Sequence, residues 1–374
     1  MAGRPQEHKR IVSRATTRQL REGTKSFTSA QLAEQLDFYA GTVQSPTNLD
    51  TGGLVMYCMT KHFPKLIPLF AEMILEPVFP EKELTTFIEN NIQNLAVELT
   101  KNDVLAYRKI TELMYGAEHP YGYNSVPELY RALTTDDLRQ HYKACYTSDN
   151  CMIFISGKTD ASILALLNQY LGQHKTKAST KKGPLSILSN LPQKMKVLNP
   201  DTLQSSLRIG RSIGTRHNPD FNGLFVLNTI LGGYFGSRLM MNLREDKGYT
   251  YGIYSSIDMM HHDGYFYIAS DVGNGFVEKT KKEIYKELAI LQKDLIGSEE
   301  LKMVQNYLLG NMLNMIDGPF PVSDVVKSFT IEGVPMSQFY DLVDTIRHIT
   351  PEQLRDLAQK YFRKEDMFEV VAGV

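Results

Sequence analysis

The chain has 374 residues, of which 42% are hydrophobic, and a formal net charge of −1 at pH 7. This length and apolar content favour two or three globular domains, and the nearly neutral charge argues against nucleic acid or an anionic membrane surface as a partner. The cysteines Cys58, Cys145 and Cys151 are odd in number and lack C-x-x-C spacing, which argues against a disulfide framework or a thiolate metal site.

Targeting signals are also lacking in the sequence as written. No apolar run reaches the about 18 residues of a membrane helix, and the segment 1–18 is polar and basic without the apolar core of a signal peptide. The sequence therefore predicts a cytoplasmic protein. A periplasmic location stays open if the N-terminus is truncated.

Caps, prolines and apolar periodicity predict the elements in chain order. In the first half they are a helix opened by the capping box of Thr28 and Gln31 and stopped at Gly41, strands at 42–44 and 54–60, helices at 63–75, 80–98, 102–115, 127–133 and 135–146, a strand at 151–156 and a helix at 161–171. In the second half they are strands at 207–213, 249–256, 264–270 and 367–372 and helices at 219–231, 277–295, 298–314, 323–333 and 351–362.

An internal repeat relates the two halves. The segment from Thr134 to Gly157 aligns without a gap on the segment from Thr350 to Gly373, since 350 minus 134 and 373 minus 157 both give 216. A second match, of Pro80 with Gly297, lies at an offset of 217. Two matches at nearly one offset favour tandem copies of a single α+β unit. We predict domains at 1–173 and 194–374, joined by a linker at 174–193.

The stretch Leu231–Ser256 is the most informative part of the sequence. Its glycines at 232, 233 and 236 predict a tight turn, after which Ser237 is placed to cap a short helix. Gly248 has the position of a C-terminal helix cap, and the β-branched and aromatic residues that follow predict a strand. Arg244 therefore lies at a helix end and Tyr251 on a strand, so that a guanidinium and a phenol could converge on one oxygen atom.

Each of these residues also has a structural interpretation. An arginine in a last helical turn often faces the negative end of the helix dipole, and a strand tyrosine is usually a core residue. Gly232 and Gly233 are candidates for substrate contact, but simple helix–strand packing explains them equally well.

The pattern Leu-Arg-Glu-x-x-Gly-x-x-Tyr after a glycine-rich turn resembles the second-domain signature of the pitrilysin/insulinase family of zinc peptidases, peptidase family M16, to which processing peptidases belong. The phrases that begin at Glu22, Pro77 and Tyr146 resemble the family in the same order. The resemblance implies two homologous α+β units, each a mainly antiparallel sheet with helices packed on one face, the first without its opening strands. It also implies that Arg244 and Tyr251 bind the carbonyl of the scissile peptide bond.

Active members of the family carry H-x-x-E-H, in which two histidines bind zinc and a glutamate activates water. In the family register these positions fall on Arg14, Thr17 and Arg18, and the third ligand falls near Asn94. Arginine offers no lone pair to a metal, and threonine is no general base. The resemblance thus implies a degenerate zinc site, and the register of its third ligand can also slip onto Glu89 or Glu98.

No substitute motif is present among the histidines. His119 follows Glu118 in a glycine- and proline-rich loop, and His261 and His262 precede what reads as a hairpin turn. Adjacent turn histidines are typically solvent-facing rather than metal ligands. No nucleophile elbow, phosphate-binding loop or dinucleotide fingerprint occurs either.

These observations predict a non-catalytic, substrate-binding subunit of a two-chain zinc peptidase. It would form a heterodimer with a homologous subunit that holds the zinc, donate Arg244 and Tyr251 to that active site, and bind peptides as an added strand at a sheet edge. Two alternatives remain: a purely structural subunit with no role in proteolysis, and a hydrolase with an unrecognised site. No cofactor is expected in this chain.

Overall fold

The computed structural model describes residues 1–173, 175–176, 185, 190–200 and 202–373. The chain divides into two compact units, one formed by Met1–Val97 and Ser125–Leu185, the other by Glu98–Asn124 and Ser186–Val374. The second unit includes a segment from within the predicted first domain, so the compact units and the predicted domains divide the chain differently. The predicted domains describe the repeated segments of the sequence, and their boundaries remain a prediction. The linker predicted at 174–193 lies mainly outside the described residues.

The first half of the chain is mostly helical. Its elements are α1 (Val12–Gln19), α2 (Ser29–Phe38), β1 (Thr42–Gln44), β2 (Val55–Tyr57), α3 (Phe63–Leu75), α4 (Glu81–Glu98), α5 (Asn102–Tyr115), α6 (Pro127–Arg131), α7 (Thr135–Cys145) and α8 (Ala161–Tyr170). In the first unit, α1 packs against α7 and α3 packs against α8. Strands β1 and β2 form an antiparallel pair.

The strand predicted at 151–156 is wrong. The segment belongs to no sheet among the described residues, although its residues match the strand-forming pattern. Met152 and Ile153, which the prediction would bury on a sheet, are each 54% exposed. A strand requires a hydrogen-bonding neighbour, and this condition cannot be read from the segment itself.

The second half of the chain contains a five-stranded sheet and most of the helices of the second unit. Its elements are β3 (Lys194–Leu198), β4 (Gln204–Ser212), α9 (Phe221–Asn228), β5 (Thr250–Met259), β6 (Gly264–Gly273), α10 (Val277–Lys293), α11 (Ser298–Asn314), α12 (Pro319–Glu332), α13 (Ser337–His348), α14 (Pro351–Tyr361) and β7 (Phe368–Gly373). The strand order is β3-β7-β4-β6-β5, and every pairing is antiparallel except that of β3 with β7. The mixed α+β fold with a mainly antiparallel sheet agrees with the prediction.

Side chains alternate across this sheet and bury both of its faces. Ile209, Phe266 and Ile268 point to one face, where they share a hydrophobic cluster with residues of the helices from α9 to α14. Tyr265 points to the opposite face, where its ring contacts that of Tyr115 on α5. The main helical layer therefore covers one face, and α5 covers part of the other. This packing explains why residues 98–124 belong to the second unit.

None of the helices within the described ranges combines the length and the apolar character needed to cross a membrane.

Candidate functional site

The glycine turn is not a break in the chain after helix α9. Its first residues continue that helix. Residues Thr229–Gly233 form a π-helical segment, in which backbone bonds span five residues. Gly232 is buried, and a Cβ at its position would lie 2.5 Å from the backbone nitrogen of Ser255 on β5. Gly233 is exposed. The geometry at Gly232 fits the packing interpretation, because only glycine permits this approach of the turn to the strand. Substrate contact by Gly232 and Gly233 remains a prediction.

A second π-helical segment, Met240–Asp246, carries Arg244. Ser237 has the predicted N-cap position, since the helical residues begin at Arg238 and its carbonyl accepts from the Met241 N–H over 2.9 Å. The predicted side-chain cap is wrong, because the buried Ser237 hydroxyl has no hydrogen-bond partner among the described residues. The predicted C-terminal cap is confirmed. Gly248 has φ +63°, and its N–H donates to the Arg244 carbonyl over 3.1 Å. This left-handed residue turns the chain into β5.

The Arg244 side chain is accessible to solvent, and two neighbouring side chains hold its guanidinium group. Its side chain is 37% exposed, its Nε lies 3.4 Å from Glu245 Oε1, and its guanidinium carbon lies 4.8 Å from the centre of the Phe235 ring. Phe235, which lies in the glycine turn, is itself 63% exposed. A guanidinium over an aromatic face is attracted to the ring and still presents N–H groups to solvent. Phe235 was not among the predicted site residues. Its position within the glycine turn is the signal in the sequence that could have indicated a role for it.

Tyr251 points outward because of a β-bulge. Thr250 pairs with Val272 and Ile253 with Ser270, so three steps along β5 face two along β6 and the extra residue lies at Tyr251–Gly252. Tyr251 is 89% exposed, which excludes the core interpretation.

Two hydroxyls fix the bulge. Thr250 Oγ1 donates to the Asp271 carbonyl over 2.7 Å and accepts from the Gly252 N–H over 3.0 Å, and Ser270 Oγ donates to the Gly252 carbonyl over 3.0 Å. Neither hydroxyl was recognised from the sequence, because their role depends on the strand register. No hydrogen bond joins Arg244 to Tyr251 among the described residues, so both keep donors available for a ligand.

A polar network supports the helix that carries Arg244. Buried Asn242 donates to Glu287 over 2.5 Å and to Glu283 over 3.4 Å, and the Lys247 ammonium lies 3.4 Å from Glu283. Burial acts to raise the pKa of Glu283, but the Asn242 hydrogen bond and the Lys247 charge outweigh it and hold that pKa below its ordinary value. The network fixes the last helical turn and therefore the backbone position from which the Arg244 side chain extends.

The positions matched to the family zinc motif do not fit zinc. Arg14 and Arg18 lie exposed on α1, and Asn94 lies exposed on α4. Thr17 is buried, and its hydroxyl lies 3.0 Å from the Ser13 carbonyl and 2.7 Å from the Tyr146 hydroxyl. Two guanidiniums without lone pairs and a hydroxyl engaged in the helix core are not a ligand set for zinc. Within the described residues, no three side chains of His, Cys, Asp or Glu group closely enough to hold a metal ion.

The histidine candidates are held by local packing. His119 stacks on Tyr115 with ring centres 5.5 Å apart, its Nδ1 accepts from the Tyr121 N–H, and burial lowers its pKa. His261 Nδ1 lies 2.8 Å from the Ile331 carbonyl. The expectation that His261 and His262 face solvent is wrong, since both are half-buried against neighbouring elements of the second unit.

The fold and these residues define a class: an α+β protein in which the positions matched to the family zinc motif cannot bind zinc. Its fold is similar to the crystal structure of a peptidase M16 inactive domain from Pseudomonas fluorescens, with a TM-score of 0.90 at 22% identity over 100% of this chain and 90% of that one. This similarity confirms the predicted fold class.

The sequence comparisons agree with the resemblance to this family. Residues 132–308 match the model of the peptidase M16 inactive domain. An uncharacterized zinc protease YmxG of Bacillus subtilis is 24% identical over 92% of this chain and 84% of its own length. A non-peptidase homolog YmxG of Helicobacter pylori is 22% identical over 95% of this chain and 82% of its own length. The resemblance to the pitrilysin/insulinase family is thereby confirmed: the chain carries a peptidase M16 inactive domain.

Proposed function

We propose that this chain is the non-catalytic, substrate-binding subunit of a two-chain zinc peptidase acting on peptides or unfolded segments. Its partner is a homologous subunit that holds the zinc. Arg244 and Tyr251 donate hydrogen bonds to the carbonyl oxygen of the scissile peptide bond, where negative charge develops during attack. The chain supplies orientation and charge stabilisation, and the partner supplies the hydrolytic chemistry.

The observation that carries this proposal is the outward presentation of the two donors. A tyrosine forced out of its strand by a bulge, and an arginine resting on an exposed ring, are both free to meet a ligand. Bulges commonly re-aim side chains beside functional sites, and π-helical segments are frequent there too. A guanidinium and a phenol on neighbouring elements suit a carbonyl oxygen, which accepts from both.

Two further observations support a partner subunit. The residues matched to the zinc motif are unable to ligate zinc, so hydrolysis of the family type needs a metal from elsewhere. Among the relatives, one is named a zinc protease and another a non-peptidase homolog. The relatives of this protein therefore include both chains named as zinc proteases and chains named as non-peptidases.

The test is the peptidase rate of the reconstituted pair. Arg244→Ala and Tyr251→Phe are each expected to lower kcat of the pair by roughly 10²-fold or more, as removal of one oxyanion donor does in other enzymes. Substrate KM should change less, because the donors act most strongly on the developing charge. Zinc content of the partner should stay the same.

Matched controls are available on α13. Arg347→Ala and Tyr340→Phe remove the same groups from exposed positions on that helix and should leave the rate unchanged. If both site variants sustain the full rate of the pair, the proposal fails.

A structural role is the second candidate, favoured by an exposed apolar patch at the junction of α11 and α12. Its members share exposures of 41% to 66% and are Leu313, Met315, Ile316, Phe320 and Val322. Several exposed apolar side chains within one short segment are more typical of a subunit interface than of a solvated surface. Loss of assembly on Leu313→Asp together with an unchanged rate in the Arg244 and Tyr251 variants would favour this candidate.

A further inference from the structure

Helix α1 is buried along its whole length except at two arginines. Arg14 and Arg18 are exposed, and each of the other residues of Val12–Gln19 is buried. The two arginines are four residues apart, so they lie on the same face of the helix, with Cβ atoms about 6 Å from each other. The part of α1 that reaches solvent is therefore positively charged. We call these two residues the α1 arginine pair.

Neither guanidinium of the α1 arginine pair has a carboxylate partner among the described residues. Arg14 has no side-chain hydrogen bond or ion pair there, and Arg18 has the Ser45 hydroxyl, which lies 3.4 Å from its Nη1. The carboxylate of Glu7, near the start of the helix, accepts from the N–H and the hydroxyl of Ser13 over 3.0 and 2.6 Å. Two positive charges on one helix face are thus left without a negative charge at contact distance.

The two charges repel each other, because like charges four residues apart destabilise a helix. Burial, together with the charges of Arg14 and Arg21, lowers the pKa of Arg18. Arg21 has partners of its own: its Nη1 donates to the Val43 carbonyl over 2.7 Å, and its Nε lies 3.4 Å from Glu22 Oε1. An anion bound to both Arg14 and Arg18 would relieve the repulsion between them.

The backbone beneath the pair is held from several sides. Helix α1 packs against α7, and the hydroxyl of Thr17 lies 2.7 Å from that of Tyr146. Gln19 Nε2 donates to the Glu83 carbonyl over 3.4 Å. Gly52 lies so close that a Cβ at its position would clash with the Thr17 and Tyr146 hydroxyls. Both arginines therefore extend from a fixed backbone, so a ligand need not order the helix in order to bind.

We propose that the α1 arginine pair is a binding site for a phosphate group. A phosphate dianion matches the charge of two guanidiniums, and its tetrahedral oxygens accept from both of them at once. A carboxylate matches one charge, and a single bidentate guanidinium uses both of its oxygens. The charge and number of the unpaired donors therefore favour phosphate over a carboxylate.

This site does not depend on the proposed function. Arg14 and Arg18 are positions matched to the zinc motif, so the chain presents a site for an anion where that motif would place a cation. The phosphate belongs to a free ion or to a phosphate ester, since both present the same oxygens to the arginines.

Titration of inorganic phosphate into the full chain tests the site. At low ionic strength and about pH 8, where phosphate is mainly a dianion, calorimetry should show saturable binding at least about fivefold tighter than that of acetate. Added sodium chloride should weaken it. Glycerol phosphate that binds more tightly than inorganic phosphate identifies an ester as the ligand, and weaker or equal binding identifies the free ion. Absence of saturable binding, or affinity no higher than for acetate, would overturn the inference.

Variants assign the binding to the pair. Arg14→Gln and Arg18→Gln should each weaken phosphate binding about tenfold. Arg18→Lys keeps the charge but loses the planar fork of donors, so it should weaken binding less, by about threefold. Arg347→Gln, at an exposed position on α13, is the control and should bind phosphate as the wild type does. Unchanged affinity in both folded Gln variants contradicts the site.

Thermal unfolding separates the site from a general salt effect, since phosphate also stabilises proteins by exclusion from their surface. In phosphate-free buffer of low ionic strength, Arg14→Gln should raise the melting temperature by roughly 1 °C, because it removes the repulsion from Arg18. In phosphate, the wild type should gain more than this variant, because it alone keeps the full site. Equal gains in both proteins would show a general salt effect and overturn the site.

Discussion

Gly232 shows how closely one residue links the glycine turn to strand β5. A Cβ there would meet the backbone nitrogen of Ser255 at 2.5 Å and its hydroxyl at 2.7 Å, and a strand backbone held on its other side cannot retreat. Gly232→Ala should therefore lower the free energy of unfolding by about 1–3 kcal/mol. The measurement is the midpoint and slope of chemical denaturation.

Gly310 on α11 is the matched control. Apart from the neighbouring residues and the backbone of its own helix, no described atom lies within 4 Å of a Cβ built at this position, and alanine is the better helix former. Gly310→Ala should raise the free energy of unfolding by up to about 1 kcal/mol. Equal effects of the two substitutions would contradict the contact described at Gly232.

The site residues could be read from the sequence only in part. The family pattern identified Arg244 and Tyr251, and the position of Gly248 predicted the turn between them. The exposure of Tyr251 follows from a bulge that depends on which β6 residue meets Thr250, and a local pattern does not contain that register. Phe235 was missed for a similar reason, because its contact with Arg244 joins a turn to the end of a later helix.

At the scale of elements, the repeat is clearest in two helix starts. Thr134 caps α7 with Asp137 in a reciprocal capping box, and Thr350 caps α14 with Gln353 in the same way. The offset of 216 residues that relates these threonines in sequence thus also relates two identical cap geometries. The sequence predicted both helix starts correctly because a capping box is local in sequence.

Asp137 makes the α7 capping box dependent on pH, whereas the matching residue of the α14 capping box is Gln353, which does not ionise. Burial acts to raise the pKa of Asp137, but hydrogen bonds from the Lys9 ammonium and from Thr134 outweigh it and hold that pKa below its ordinary value. A carboxyl with a lower pKa in the folded state stabilises the fold above its unfolded pKa, and this stabilisation is lost as the pH falls through the folded value.

Asp137→Asn should therefore lower the melting temperature at neutral pH, and the difference from wild type should shrink below about pH 4. Asp136→Asn is the control, since Asp136 precedes it in the same turn with a side chain that is 90% exposed. A difference between Asp137→Asn and wild type that stays constant from neutral to acidic pH would show that the charge does not stabilise the cap.

Helices were predicted more accurately than strands, because a strand depends on distant neighbours. Helix bounds at Phe63–Leu75, Asn102–Tyr115 and Ser298–Asn314 match the prediction, because prolines, caps and apolar spacing are local. The segment 151–156 has the pattern of its repeat partner β7 but not the two neighbouring strands that β7 has in β3 and β4.

Three elements were missed. Helix α1 (Val12–Gln19) was overlooked because no side-chain cap and no proline mark its start. Strand β3 was overlooked because its residues alternate only weakly in burial and pair with β7 alone. Helix α13 was overlooked although Phe339, Leu342 and Ile346 carry a helical period.

At the scale of the whole molecule, the groups that matter for function are divided between the two units. The second unit contains the two accessible donors, Arg244 and Tyr251, and the first contains the positions matched to the zinc motif, which cannot ligate zinc. In the proposed function, the binding of a peptide by this chain is thus separated from the chemistry of its hydrolysis.

The central claim is tested most directly by one activity measurement on three samples: the purified chain with added zinc, its zinc-bearing homologue alone, and their mixture. Cleavage of an unstructured peptide is followed together with the zinc content of each chain. The account predicts no turnover and no tightly bound zinc in this chain alone, and a rate for the mixture well above that of the homologue. Turnover by this chain alone with one tightly held zinc ion would contradict it.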